Sequence, residues 1–221
     1  MKKIINYIVI IISILMVFFG LLIDLQPEIN MSGAEKILIY VTPMILLFVN
    51  MIIQIKNTKK DVEKEKIKKQ ILGLIFIIYM ISLSTLLFLG SSYRHAGQFL
   101  TLEFDLNKIN IIPFKEIVSF ISGLFNGNNL KVVLINIGGN LLAFAPMGFF
   151  IPILFWNKVK NLKQFTLLII IIIFIVELTQ FVTNTGIADI DDLILNTLGA
   201  VIVYVLMQTK MAKDILVKLF K

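Results

Sequence analysis

The 221-residue sequence has no cysteine, one histidine and one arginine. Without cysteine there can be no disulfide, iron–sulfur cluster or thiolate zinc site. A single imidazole, His95, argues against a histidine metal cage. Charge is scarce too: 16% of residues are charged, where a soluble domain carries about a quarter. No nucleophile signature accompanies Ser91, Ser92, Ser119 or Ser122. A phosphate-cradling glycine loop is also missing. By contrast 58% of residues are hydrophobic, and the mean hydropathy is +0.92. One water-soluble core of this size cannot hide so much apolar surface. A soluble enzyme, a secreted disulfide scaffold and a disordered chain are therefore excluded, and a polytopic membrane protein is left.

Six apolar segments stand out: residues 4–23, 37–55, 71–90, 132–156, 165–182 and 190–207. About 20 apolar residues cross the hydrocarbon as a helix. The first segment follows Lys2 and Lys3, is too long for a signal-peptide core and lacks a small-residue cleavage site, so it reads as an uncleaved span. The net charge of +7 comes from lysines that flank apolar runs. That pattern fits membrane orientation and anionic headgroups, and it gives no reason to invoke nucleic acid. Sixteen basic residues fall at the N-terminus, in loops 56–70 and 157–164 and in the tail; five (Lys36, Arg94, Lys108, Lys115 and Lys131) fall on the other side. The positive-inside rule then puts both termini in the cytoplasm, which requires an even number of spans. The expected fold is all-α: a polytopic membrane helical bundle of about six spans, N-in/C-in, with an amphipathic external loop helix.

Loop 56–70 alternates lysine with Asp61, Glu63 and Glu65, which suggests a solvated helical hairpin or linker. In the external loop 91–131, Phe114, Ile117, Val118, Ile121, Leu124 and Phe125 recur at helical spacing, as expected of a helix lying on or re-entering the outer leaflet. Asn126 to Asn129 read as a turn. The tail 208–221 sets Met211, Ile215, Leu216, Leu219 and Phe220 against Lys213 and Lys218, as an interfacial helix would. Three regions follow: residues 1–90 with three spans and a lysine-rich loop, residues 91–207 with the external loop and three more spans, and the basic tail 208–221.

Polar residues concentrate in the last three spans. Asn136 and Asn140 are four apart and should share a helix face. Gly138 and Gly139 between them would permit close approach of a neighbouring helix, and Pro146 would kink the span below them. Glu177 and Gln180 share a face that Asn184 continues. Asp192, Asn196 and Gly199 share another, and Asp189 and Asp191 occupy the turn before it. At 1.5 Å per residue, Asn140, Glu177 and Asn196 lie about 12, 8 and 9 Å below the outer ends of their spans. Three helices thus carry polar groups to one level in the outer half of the bilayer. An ionised carboxylate facing lipid is costly, so Glu177 should face the bundle interior or a cavity open to the outside.

Each group has a functional and a structural reading. Asp189, Asp191 and Asp192 offer oxygen ligands suited to Mg²⁺ or Ca²⁺; alternatively Asp191 or Asp192 caps the sixth helix. Glu177 could serve as general acid or base with Asp192 as its catalytic partner, or could simply hydrogen-bond to Asn140 or Gln180. Asn136, Asn140 and Asn196 suit interhelical hydrogen bonds or a polar headgroup. Arg94 suits a lipid phosphate or snorkels to the interface with His95. Pro113 sets a turn in the stretch Asn110 to Lys115.

Four motifs occur in order. They are Asn110-Ile-Ile-Pro113-Phe114-Lys115, Asn136-Ile-Gly-Gly139-Asn140-Leu-Leu-Ala-Phe144-Ala-Pro146-Met-Gly148, Glu177-Leu-Thr-Gln180, and Asp189-Ile-Asp191-Asp192-Leu-Ile-Leu-Asn196-Thr-Leu-Gly199-Ala. Together they resemble the VanZ-like family over roughly residues 90 to 206. That family often has an arginine just before the acidic motif; here the turn reads Thr185-Gly186-Ile187-Ala188, and Arg94 is the arginine available to stand in as external cation.

The resemblance implies a multi-pass protein of the bacterial cytoplasmic membrane, associated with low-level resistance to teicoplanin, a lipid-bearing glycopeptide. Its partners would be membrane lipids, a lipid-linked envelope precursor or a lipoglycopeptide. The binding groups would be Arg94, Asn136, Asn140, Gln180, Asp189, Asp191 and Asn196 around Glu177 and Asp192. No cofactor is implied beyond a divalent cation at the acidic turn. The alternatives are an intramembrane enzyme acting on a lipid headgroup or wall precursor and, third, an ion-coupled transporter. Carriers usually place their sites near the midplane between repeats, and no repeat is visible here.

Overall fold

The computed structural model describes residues 2–26, 29, 31–89, 109–125, 130–155, 158–183 and 185–220. Among the described residues, six helices are long and apolar enough to cross a membrane: Ile4–Asp24, Ala34–Asn57, Asp61–Phe88, Leu130–Leu154, Leu162–Val182 and Ile190–Gln208. Only 17% to 39% of the most apolar stretch of each is buried, so most of this surface points outward and is satisfied only by lipid. The protein is an all-α polytopic membrane protein, and its described residues add only two strands of two residues each. The chain divides into one unit of Met1–Gln98 with Lys213–Lys221 and a second of Phe99–Ala212.

The first unit holds α1 (Lys2–Asp24), α2 (Gly33–Asn57) and α3 (Asp61–Phe88). Ser32 and Glu35 start α2 with a capping box: the Ser32 hydroxyl accepts from Glu35 N–H, and Glu35 Oε2 accepts from Ser32 N–H at 2.7 Å. The lysine-rich segment is not a separate hairpin. Three residues, 58–60, connect α2 to α3, and from Asp61 onward the charged stretch forms the first turns of α3. Lys60–Glu63, Lys64–Asp61 and Lys68–Glu65 pair at helical spacing, and Asp61 and Glu63 suit the positive end of that helix.

At the other end of this unit lies a buried ion pair that the charge count did not foresee. Asp24, fully buried at the end of α1, takes Lys36 Nζ at 2.6 Å and the Tyr40 hydroxyl at 2.7 Å. Lys36 also donates to the carbonyl of Leu89 just past α3, at 3.4 Å. One lysine therefore ties the ends of all three helices.

The second unit begins with β1 (Ile109–Asn110) and α4 (Lys115–Phe125). Its first span is built in pieces: α5 (Leu130–Val133), a wide π turn at Leu134–Gly138, α6 (Gly139–Ala143) and α7 (Met147–Leu154). Then come α8 (Leu162–Val182), β2 (Ala188–Asp189) and α9 (Ile190–Gln208). The amphipathic tail helix anticipated from its spacing, α10 (Lys210–Phe220), starts at the end of this unit and belongs from Lys213 onward to the first.

The span breaks outright at Phe144–Pro146, and Pro146 directly precedes α7. Proline has no N–H to donate, so it is better placed at a helix start than inside one. α9 is central, packing against α6, α7 and α8. Two glycines allow this: a Cβ on Gly199 would lie 1.8 Å from the Leu141 carbonyl oxygen, and one on Gly148 would lie 2.3 Å from that of Ala200. Gly138 and Gly139 do not serve as close-approach points among the described residues, because a Cβ on either would meet none of them within 4 Å.

Candidate functional site

α8 turns Phe165, Ile169, Ile173, Glu177 and Phe181 inward, one every four residues. Near its start Phe165 stacks on Tyr204 of α9, with ring centroids 4.3 Å apart. The two helices run in opposite directions, so this contact sets their register. Counting back by equal rises puts Ile173 level with Asn196, and Glu177 level with Asp192. Glu177 is 8% exposed, and one of its carboxylate oxygens accepts from the Asp189 N–H at 3.3 Å.

The acidic turn divides its labour. Asp189 is the cap of α9: its Oδ1 accepts from the Asp191 N–H at 2.8 Å and from the Asn110 side-chain amide, also at 2.8 Å. The expectation that Asp191 or Asp192 is that cap is therefore corrected. Asp191, 1% exposed, reaches across and receives the backbone N–H groups of Phe114 at 2.5 Å, Glu116 at 2.8 Å and Ile117 at 3.1 Å. It thereby caps α4, its charge facing the positive end of that helix. Phe114 sits at a positive φ of 66°, a strained conformation braced by this grip. Asn110 Oδ1 also accepts from Ile112 N–H at 3.3 Å, closing a local turn. A two-residue parallel pairing, Ile109 with Ala188 and Asn110 with Asp189, completes the junction. The first and last of the four motifs are thus two halves of one structure.

Asp192 behaves differently. Its Oδ1 accepts from the Asn140 side-chain amide on α6, and it lies within electrostatic range of Asp189, Asp191, Glu116 and Glu177. Asn196 follows one turn deeper, 4% exposed, and its Oδ1 has no partner among the described residues. Neither Glu177 nor Asp192 pairs with a lysine or arginine among the described residues.

Other candidates fall elsewhere. Asn136 is exposed and donates to the Val132 carbonyl of its own helix at 2.7 Å, so it does not join Asn140 in the cluster; the π turn between them disturbs the shared face expected of an unbroken helix. Gln180 packs beside Gly186, and its carbonyl accepts from Thr185 N–H at 2.9 Å and Gly186 N–H at 3.3 Å. Arg94, His95, Asn126 to Asn129 and Asn184 lie outside the described residues.

The divalent-ion reading of Asp189, Asp191 and Asp192 does not fit this geometry. Both oxygens of Asp191 and Oδ1 of Asp189 are committed to N–H donors. No group of three or more potential ligating side chains converges for an ion among the described residues. Glu116, Thr185 and the Asp24–Lys36 pair were not singled out from sequence. Thr185 is buried, its hydroxyl 2.9 Å from that of Thr183. Asp24 carried a signal, being the acid that directly closes the first apolar run.

Fold and site define a multi-pass helical membrane protein with a cluster of carboxylates and carboxamides at one end of three packed spans. The VanZ/LLP1 family model matches residues 76–212. This is more than half of the sequence, and the chain belongs to that family. Comparison with curated proteins and with solved structures gave no match.

Proposed function

We propose that this VanZ/LLP1 protein binds an amphipathic molecule of the bacterial cell envelope, with Glu177 and Asp192 as recognition groups. The ligand would be a lipid, a lipid-linked wall precursor or the lipid tail of a teicoplanin-type antibiotic. The observation that carries this reading is the pairing of two carboxylates at one level, with no described cation beside them, among helices whose flanks are lipid-facing. Carboxylates at membrane depth are expensive and are kept where they meet a polar partner. The lysine bias of the loops supports a cluster open to the outside of the cytoplasmic membrane. Asn140 would orient Asp192.

The test compares lipids that copurify with the wild type and with Glu177→Gln from bacterial membranes. The wild type should carry a species that the variant lacks at equal protein yield, and identical profiles would refute the assignment. Because the chain has no cysteine, a single Ile187→Cys on the exposed turn reports the side directly. Labelling by an impermeant maleimide in intact cells is expected, and labelling only after lysis would overturn the orientation. A gain in teicoplanin tolerance on expression, lost in Glu177→Gln, would connect binding to resistance.

A further inference from the structure

The groups left over at this site are of one kind. Glu177 uses one carboxylate oxygen, on the Asp189 N–H, and Asp192 uses one, on the Asn140 amide. The second oxygen of each has no partner among the described residues. Below them Asn196 holds a carbonyl oxygen that is buried and unpartnered among the described residues. Helical side chains lean toward their own N-terminus, so the Asn196 amide leans toward the turn of Asp192. Around α9 its direction falls between that of Gly199, which packs on α6, and that of Tyr204, which stacks on α8. It therefore faces the three-helix interface shared by Asn140 and Glu177. The oxygens left open are two from acids and one from the Asn196 amide.

We infer that Glu177, Asp192 and Asn196 form a receptor for a primary ammonium group, which fills the three acceptors with its three N–H donors. This rests on the binding role proposed above and names the chemistry of its ligand. A phosphate or carboxylate headgroup would meet repulsion from two acids. A quaternary ammonium would match the charge but bring no N–H to the Asn196 carbonyl, which would stay unpaired. The ammonium could belong to an aminolipid or to a free amine, and the two sources are experimentally separable.

The protein would be placed in nanodiscs of phosphatidylglycerol containing equal parts phosphatidylethanolamine and phosphatidylcholine, and the retained lipids counted by native mass spectrometry. The ethanolamine lipid should be retained over the choline lipid by about tenfold, the worth of one hydrogen bond to a charged group. Asn196→Leu, close in volume, should reduce that preference to parity. Asp192→Asn keeps the shape of the side chain and should do the same, so the idea is still tested if the leucine variant fails to fold. Displacement by soluble ethanolamine would assign the site to free amines, and resistance to it would assign an aminolipid. Equal retention of the two lipids, or a preference unchanged in both variants, overturns the ammonium assignment and leaves envelope-lipid binding standing. Retention of no lipid by the wild type overturns both.

Discussion

Replacing Asp191 should release α4 from the second unit while leaving the spans in place. One carboxylate, 1% exposed, receives three backbone N–H groups from Phe114, Glu116 and Ile117. In Asp191→Asn one of the two oxygens becomes an NH2 that faces donors. If Oδ1 is retained, Phe114 keeps its bond, and Glu116 and Ile117 lose theirs. Hydrogen bonds to a charged group contribute about 1.5–3 kcal/mol each, but neighbouring bonds to one side chain do not add fully. The loss at this junction should therefore be about 2–3 kcal/mol. That corresponds to roughly 30- to 140-fold faster opening.

Amide hydrogen exchange of the intact protein in detergent, read by mass spectrometry, is the direct assay. Peptides covering 114–125 should exchange faster by that factor, while peptides from α8 and the body of α9 keep wild-type rates. Asp191→Ala, which removes both acceptors, should exceed the asparagine variant. Wild-type protection of α4 in both variants would refute the claim that Asp191 holds this helix. Uniform loss across the whole chain would refute the claim that the effect is local.

Two further predictions concern stability. Asp24→Leu or Lys36→Met alone should cost about 3–5 kcal/mol, because each strands a charge in the buried pair; the double variant should recover most of the loss in a thermal melt, and additive losses would argue against the pair. Gly199→Ala should destabilise by about 1–3 kcal/mol or more, since its methyl would meet the Leu141 carbonyl. Gly138→Ala, at helical φ and ψ with open space around it, should be neutral or stabilising by up to about 1 kcal/mol. Equal melting temperatures for the two alanine variants would contradict the packing described.

Much of the architecture was readable along the chain. The apolar runs located six spans to within a few residues at most ends, and spacing alone located the helix at Lys115–Phe125. The largest discrepancy was the start of the third span, where Asp61 to Gln70 is charged yet helical. Hydropathy marks where lipid begins and cannot mark where a helix begins, since a helix continues into water when its charges pair along its own surface. The glycines show the same limit: Gly138-Gly139 and Gly199 look alike in sequence, and which of them meets a neighbour depends on helix rotation.

What the sequence determined by itself was the solvent of this protein and the segments that carry its polar groups, because both follow from side-chain chemistry summed along single helices. Only the tertiary structure decided how those groups divide. Asp189, Asp191 and Asp192 are nearly adjacent, yet one caps its own helix, one caps α4, and one meets Asn140. Successive residues at a helix start point in different directions about the axis, so their partners come from whichever elements the fold brings alongside.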